Sequence, residues 1–356
     1  MFRILNIALI KFLMTILLSS EIFYLTAQDK YGYIWAAGFY PVKAHAYTPN
    51  FMNTSMDYNR TLYVTSASIS DIEGNLLFFT NGIRVFTKDG LVMKGGDSIT
   101  FNQYWHIVEQ SGMASEQGAI ILPSLYSNNR YIIFHYSSID TSINVRGISA
   151  PIANKLLYSY VDMTGDLGQG EVLSKNDVLL DNVLLDPSRM TVCKHANGRD
   201  WWIIKNAFLE NKYFKFLHTS QGILGPFVQQ IGAEFDDVKA PPNVFFGRAV
   251  FSEDGTKYAT ISGRGPIVVM DFDRCSGEFS NVQTFNYVYQ VDSALAAQGH
   301  PDHVPNVLGG ISVALSPNGR FLYANHLATI DQFDLQSGKN DSVQLVHLGE
   351  PLDNPN

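Results

Sequence analysis

One unit is written twice in this chain, and it limits the fold more than any other feature. It runs Val250-Phe251-Ser252-Glu253-Asp254-Gly255-Thr256-Lys257-Tyr258-Ala259, then Val268-Val269-Met270-Asp271-Phe272-Asp273, then Ser276-Gly277. It returns as Ala314-Leu315-Ser316-Pro317-Asn318-Gly319-Arg320-Phe321-Leu322-Tyr323, then Gln332-Phe333-Asp334, then Ser337-Gly338. Gly255 and Gly319 stand 64 residues apart, and Phe272 and Phe333 stand 61 apart. An apolar strand ends at a Ser-x-Asp/Asn-Gly turn, where Gly and Asx accept the positive φ of a tight hairpin. A second strand returns, a third carries an aromatic and an Asp, and a Ser-Gly turn feeds a fourth. Such a unit, repeated, stacks or closes radially.

Three earlier copies are legible. Ala67–Gly82 holds strand, Asp71-x-x-Gly74 turn and strand, and 85–93 adds a hairpin turning at Asp89-Gly90. Ala119–Tyr136 turns at Asn128-Asn129, with Leu156–Met163 and Glu171-Val172-Leu173 as its outer half. Met190–Ile204 turns at Asn197-Gly198, with Tyr213–Leu217 and the Gln221-Gly222 turn as its outer half. The turn markers Gly74, Asn129, Gly198, Gly255 and Gly319 are 55, 69, 57 and 64 residues apart. That exceeds the roughly 40–45 residues of a WD-repeat blade, so the excess lies in loops. The fold class expected is all-β: a β-propeller of four-stranded antiparallel blades, about five of them, as an incomplete seven-bladed ring. A chain ending near its fifth unit leaves sheet edges open, which suggests truncation at the C-terminus. The alternative is a small closed ring whose last blade takes the Tyr33–Ala37 strand. Residues 41–61 are polar and Asn/Tyr-rich and read as a loop.

Composition agrees. Aromatic residues are 13% and charged residues 16% of 356 positions, which favours strands over solvated helix faces. The net charge of −8 and the lack of a basic tract argue against a nucleic-acid partner. Residues 1–27 read as a signal peptide. Met1-Phe2-Arg3 is a basic start, Ile4–Leu18 is apolar apart from Asn6, Lys11 and Thr15, and Leu25-Thr26-Ala27 precedes a cleavage point at Gln28. The rival is an uncleaved anchor, but Lys11 divides the apolar run below the about 20 residues that a span needs. Residues 28–356 then form the β-propeller domain of an exported protein, secreted or at the cell surface, with no membrane contact after cleavage. Cys193 and Cys275 fall in different repeats and read as unpaired.

The stretches Gly74-Asn75-Leu76-Leu77-Phe78-Phe79-Thr80-Asn81-Gly82 and Lys194-His195-Ala196-Asn197-Gly198-Arg199-Asp200-Trp201-Trp202 are the more particular ones. With Leu315–Tyr323 and Tyr33-Ile34-Trp35, they resemble secreted β-propeller proteins of the Bacteroidetes type, with WD-like or YVTN-like repeats. The resemblance covers most of 31–345. It implies a surface or secreted role and, often, a C-terminal type IX sorting module, which is absent here. It supplies no catalytic residues.

Candidate sites are therefore read from the residues. His195 with Asp200 is the sharpest polar cluster inside a repeat, a base or ligand pair on one reading and a turn histidine with a hairpin-bonding carboxylate on the other. His300-Pro301-Asp302-His303 offers imidazole and carboxylate, but its spacing matches no standard metal site. His106, Glu109 and Glu116 share the 94–117 connection, where two carboxylates could serve acid–base chemistry. Asp271, Asp273, Asp331 and Asp334 recur with the repeats and read as turn bonding. Gly263-Arg264-Gly265 lacks the Lys and helix of a phosphate loop, and no Gly-x-Ser-x-Gly or His-Glu-x-x-His occurs. The binding residues expected are His195, Asp200, His300, Asp302 and His303, with no catalytic residue, metal or cofactor assigned. The first functional reading is a non-catalytic scaffold that binds a protein or glycan through the 94–117, 137–150 and 283–309 loops. The alternative is a propeller-type hydrolase or lyase, lactonase-like or glycan-active, which requires several Asp, Glu, His or Arg side chains converging at the centre. A third is a blade array within a larger surface protein.

Overall fold

The computed structural model describes residues 35–37, 44–47, 54–58, 65–100, 112–113, 115–138, 143–145, 148–150, 153–235, 247–262, 266–285, 312–326, 329–339 and 342–347. These are β-structure throughout, with antiparallel strand pairing and no α-helix. No helix among them is long and apolar enough to cross a membrane. The expected signal peptide, the Gly263-Arg264-Gly265 run and the end of the chain lie outside the described residues.

The five units of the sequence appear in order. The first holds β4 (Ala67–Ser70), β5 (Leu76–Thr80) and β6 (Val85–Thr87). The second holds β7 (Ala119–Pro123), β8 (Arg130–Ser138), β11 (Ala153–Asp162) and β12 (Glu171–Leu180), with a hairpin, β9 (Ile143–Val145) and β10 (Ile148–Ala150), inserted. The third holds β13 (Leu185–Lys194), β14 (Trp201–Ala207), β15 (Lys212–Thr219) and β16 (Gly222–Gln230). The fourth is β17 (Gly247–Phe251), β18 (Lys257–Ser262), β19 (Ile267–Asp273) and β20 (Glu278–Phe285). The fifth is β21 (Ser312–Leu315), β22 (Phe321–His326), β23 (Thr329–Asp334) and β24 (Ser342–His347). The last two are separate four-stranded sheets, while the second and third units merge into one eight-stranded sheet through the single pair Ala153↔Leu185.

The duplicated turns match bond for bond. Ser252 Oγ donates to Asp254 Oδ1 at 2.6 Å and accepts Lys257 N at 2.9 Å. Ser316 Oγ donates to Asn318 Oδ1 at 2.7 Å and accepts Phe321 N at 2.9 Å. Gly255 and Gly319 hold φ of +71° and +64°, the left-handed region that a Cβ disfavours. Asp273 and Asp334 likewise accept the backbone N–H two residues on, from Cys275 and Gln336. Their chemistry belongs to the hairpins.

The four larger hydrophobic clusters sit between consecutive units. Trp201, Ile203 and Phe216 of the third pack on Ile132, Phe134 and Tyr136 of the second. On the opposite face, Trp202 and Tyr213 meet Tyr258, Phe272 and Phe279 of the fourth. Every residue of β14 is buried, so it reads as a continuous apolar run rather than an alternation. The first strands of the units lie side by side, β4 by β7, β7 by β13, β13 by β17 and β17 by β21. Sheets stacked face to face with their first strands gathered inside give a propeller-like arrangement.

Two expectations are corrected. Residues 41–61 contain β2 (Ala44–Tyr47) and β3 (Thr54–Tyr58). Their Tyr and Thr residues suit a pleated strand better than their Asn content suggested. The strand near Tyr33 is β1 (Trp35–Ala37), and it pairs with β2 rather than completing the last unit. The hairpin expected over 85–93 is present: the chain turns at Asp89-Gly90 and returns along β6 through Thr87 N to Leu91 O, the Phe86↔Val92 bridge and Met93 N to Val85 O.

Candidate functional site

Two irregularities in the inner strands build the site. The first is the turn 115–117, which enters β7. Gln117 sits there at φ +50°, a strained conformation for a side-chain-bearing residue. Its amide donates to Ala249 O at 2.8 Å and accepts Ala249 N at 2.9 Å, pairing with β17 much as a strand would. The Ser115 hydroxyl meets Tyr136 Oη and Pro187 O, and Thr65 Oγ1 donates to Ser115 O. The turn thus reaches from the second unit past β13 to the fourth. It carries Glu116 to Arg248, whose Nε stands 3.5 Å from Glu116 Oε2, an ion pair rather than a full hydrogen bond.

The second irregularity is in β13. Leu185 pairs with Ala207 and Met190 with Lys205, so residues 186–189 bulge opposite Asn206 alone. A bulge re-aims side chains and is common beside functional groups. Here it turns Asp186 and Arg189 inward, Arg189 at φ +54°. Asp186 Oδ1 accepts Ser188 N at 2.9 Å and Ser188 Oγ at 2.7 Å, while Oδ2 takes Arg189 Nη2. Lys205 donates from Nζ to Ser188 O and stands 4.5 Å from the Tyr136 ring centroid. All five charged side chains are buried.

Burial shapes their protonation. It lifts the Glu116 carboxyl to about 7, with Arg248 and the Gly247 N–H opposing and the Asp186 charge adding to the rise. It brings Lys205 down to about 7, against the pull of Asp186 and with help from Arg189. Burial also works to raise Asp186, but Arg189, Lys205 and the Ser188 hydroxyl outweigh it and hold the carboxyl below its ordinary range. The cluster therefore holds one carboxyl and one amine that change charge near neutrality, beside an Asp that stays ionised. That combination suits proton transfer at neutral pH.

The residues singled out in the sequence fall elsewhere, except Glu116. His195 lies in the turn between β13 and β14. Its Nδ1 accepts Asn197 N at 3.0 Å, which leaves Nε2–H to donate to Cys275 O at 3.1 Å. Asp200 accepts Arg199 Nε at 2.7 Å and Asn197 Nδ2 at 2.8 Å. Both side chains are engaged with their own hairpin or the neighbouring turn. His300, Asp302 and His303 lie outside the described residues, as do His106 and Glu109. Among the described residues no group of three His, Cys, Asp or Glu side chains could hold a metal ion. Cys193 and Cys275 are both free thiols. Sequence reasoning missed Asp186, Arg189, Lys205 and Arg248. Their signal was a charge inside an apolar run, as in Trp201-Trp202-Ile203-Ile204-Lys205, in a chain with few charges.

No family model matches the chain, and no curated protein matches it. Among solved structures, the chain is similar to a candidate 6-phosphogluconolactonase from Bacteroides uniformis, at 12% identity and a TM-score of 0.39, over 88% of this chain and 80% of that one. A candidate 6-phosphogluconolactonase from Bacteroides fragilis is similar at 11% and 0.40, over 87% and 76%. The periplasmic gluconolactonase of Pseudomonas aeruginosa is similar at 12% and 0.36, over 89% and 96%. The expectation of a non-catalytic binding scaffold is corrected here. These structures bear lactonase names, and ionisable groups converge where that expectation placed no chemistry. A likeness of this size fixes no activity, so the replacement rests on the cluster.

Proposed function

We propose that the chain is an exported, propeller-like hydrolase that opens a lactone or similar cyclic ester, with Glu116 as its proton-transfer group. The observation that carries this is Glu116 held against Arg248 by the Gln117 strut, with a carboxyl lifted to about 7. Ionised Glu116 takes a proton from water as its oxygen attacks the ring carbonyl carbon. Arg248 faces the negative charge that develops on the carbonyl oxygen. The acyl C–O bond breaks, and the ring oxygen leaves with the proton that Glu116 returns. The product is a hydroxy acid. Asp186 and Lys205 set the field around Glu116. The names of the similar solved structures run with this reading without carrying it.

The same proposal takes residues 1–27 as a signal peptide and 28–356 as one domain, with each unit a blade and β1–β3 a further one. The test is a pH-stat assay of the purified protein on a panel of sugar lactones. The wild type releases acid with an inflection near pH 7, and Glu116→Gln lowers kcat by about 10²–10⁴-fold with its circular dichroism unchanged. No release above the buffer rate on any lactone, or full activity in Glu116→Gln, defeats the reading.

A further inference from the structure

Four hydrogen-bond donors between the third and fourth units have no acceptor among the described residues. Arg189 gives Nη2 to Asp186 and lays its guanidinium 4.1 Å from the Phe235 ring centroid, yet its Nε and Nη1 have no hydrogen-bond partner among the described residues. Asn206 accepts the Tyr258 hydroxyl at Oδ1, at 3.0 Å, and its Nδ2 is unpartnered. The Tyr213 hydroxyl is unpartnered too. All three side chains are fully buried, at 0% exposure.

These groups share one place. Asn206 and Tyr213 are cross-strand partners in β14 and β15, so their side chains leave the same face of the sheet. The Tyr213 and Tyr258 rings meet edge to face at 5.9 Å. The Arg189 bulge lies opposite Asn206, and the Arg189 charge acts on both hydroxyls. A buried donor without an acceptor is costly, and native proteins rarely leave one unfilled.

What fills the place must accept from several donors. A water molecule accepts two bonds but also needs acceptors for its own hydrogens, and here donors dominate. The charge points the same way. Arg189, Lys205 and Arg248 face Asp186 and Glu116 in the cluster, three cationic side chains against two carboxylates. Enclosure by the two units limits the occupant to something small.

We propose that the third and fourth units enclose a site for a small monovalent inorganic anion of the halide class, bound by the Arg189 guanidinium, Asn206 Nδ2 and the Tyr213 hydroxyl. The site is structural and stands apart from the hydrolytic reading. Its anion joins β13, β14 and β15 and supports the strained backbone of Arg189. Specific binding of the anion to the folded state stabilises it in proportion to the logarithm of anion concentration above Kd.

The test is thermal unfolding of the intact protein against sodium bromide, with sodium acetate holding ionic strength constant. The wild type gains a saturable rise in Tm. Tyr213→Phe, which keeps the ring and removes one donor, weakens the half-saturating bromide concentration about tenfold. Asn206→Asp, which puts a fixed carboxylate beside the donors, removes the bromide dependence while the protein stays folded. Crystals grown in bromide show an anomalous peak in contact with Arg189 and Tyr213. A salt response that does not saturate and is the same in all three proteins overturns the proposal, as does a map with water or no peak at that place.

Discussion

Glu116 and His135 push the pH dependence of stability in opposite directions. Burial raises Glu116 from 4.5 to about 7, so the folded protein keeps a proton that the unfolded chain releases. Its contribution is full below about 4.5 and is lost as pH rises through about 7. Burial lowers His135 from 6.5 to about 3, where its ring bonds Ser159 Oγ at 2.9 Å. Its contribution is full above 6.5 and is lost as pH falls through about 3. Glu116→Gln therefore removes the decline between pH 4.5 and 7. Urea unfolding at pH 5 and pH 8 checks this, and the variant gains on the order of 2–3 kcal/mol relative to wild type at the higher pH. An equal effect of the substitution at both values counts against a raised Glu116. In the sequence, Glu116 was only one of three candidates, with His106 and Glu109, in a long connection. What distinguishes it is the Gln117 side chain beside it, and a side chain's partner 132 residues away leaves no local trace.

At the scale of elements, the turns were legible and the bulge was not. A Ser-x-Asp-Gly turn closes within five residues, so its chemistry is complete in the local sequence. The 186–189 stretch, Asp186-Pro187-Ser188-Arg189, reads locally as a turn, and Asp186 and Arg189 acquire meaning only from what β13 faces. Glycines separate the same way. Gly198 and Gly277 both hold left-handed φ, at +73° and +76°. A Cβ at Gly198 meets open space, whereas one at Gly277 stands 2.6 Å from Trp202 ring atoms of the neighbouring unit. Gly198→Ala is expected to cost about 1 kcal/mol from backbone strain alone. Gly277→Ala is expected to cost about 3 kcal/mol, since the Trp202 indole must also shift from its 2.9 Å bond to Arg274 O. Urea denaturation of both variants measures the difference.

For the whole molecule, repeats usually couple only to their neighbours. Lys215 follows that rule, reaching from β15 to Gly277 O at 2.6 Å and Glu278 Oε1 at 2.9 Å in the next unit. The Gln117–Ala249 strut breaks it by joining the second unit to the fourth. Gln117→Leu removes both bonds and costs about 2–3 kcal/mol, because buried backbone groups lose a partner. It is also expected to divide a single calorimetric transition into two overlapping ones. A lower Tm with one unchanged sharp transition shows that the strut stabilises without coupling the units.

The sequence by itself determined the repeated unit, its turns and the all-β class, since strand periodicity and Asx-Gly turn chemistry act over a few residues. It misjudged the strands of 41–61, where local composition was ambiguous. Tertiary structure alone decided which charges are buried together. Glu116, Asp186, Arg189, Lys205 and Arg248 come from four separate strands or turns, and only the stacking of three units brings them within reach. Removal from water then moves Glu116 and Lys205 toward neutrality. That shift depends on surroundings that no short stretch of chain contains.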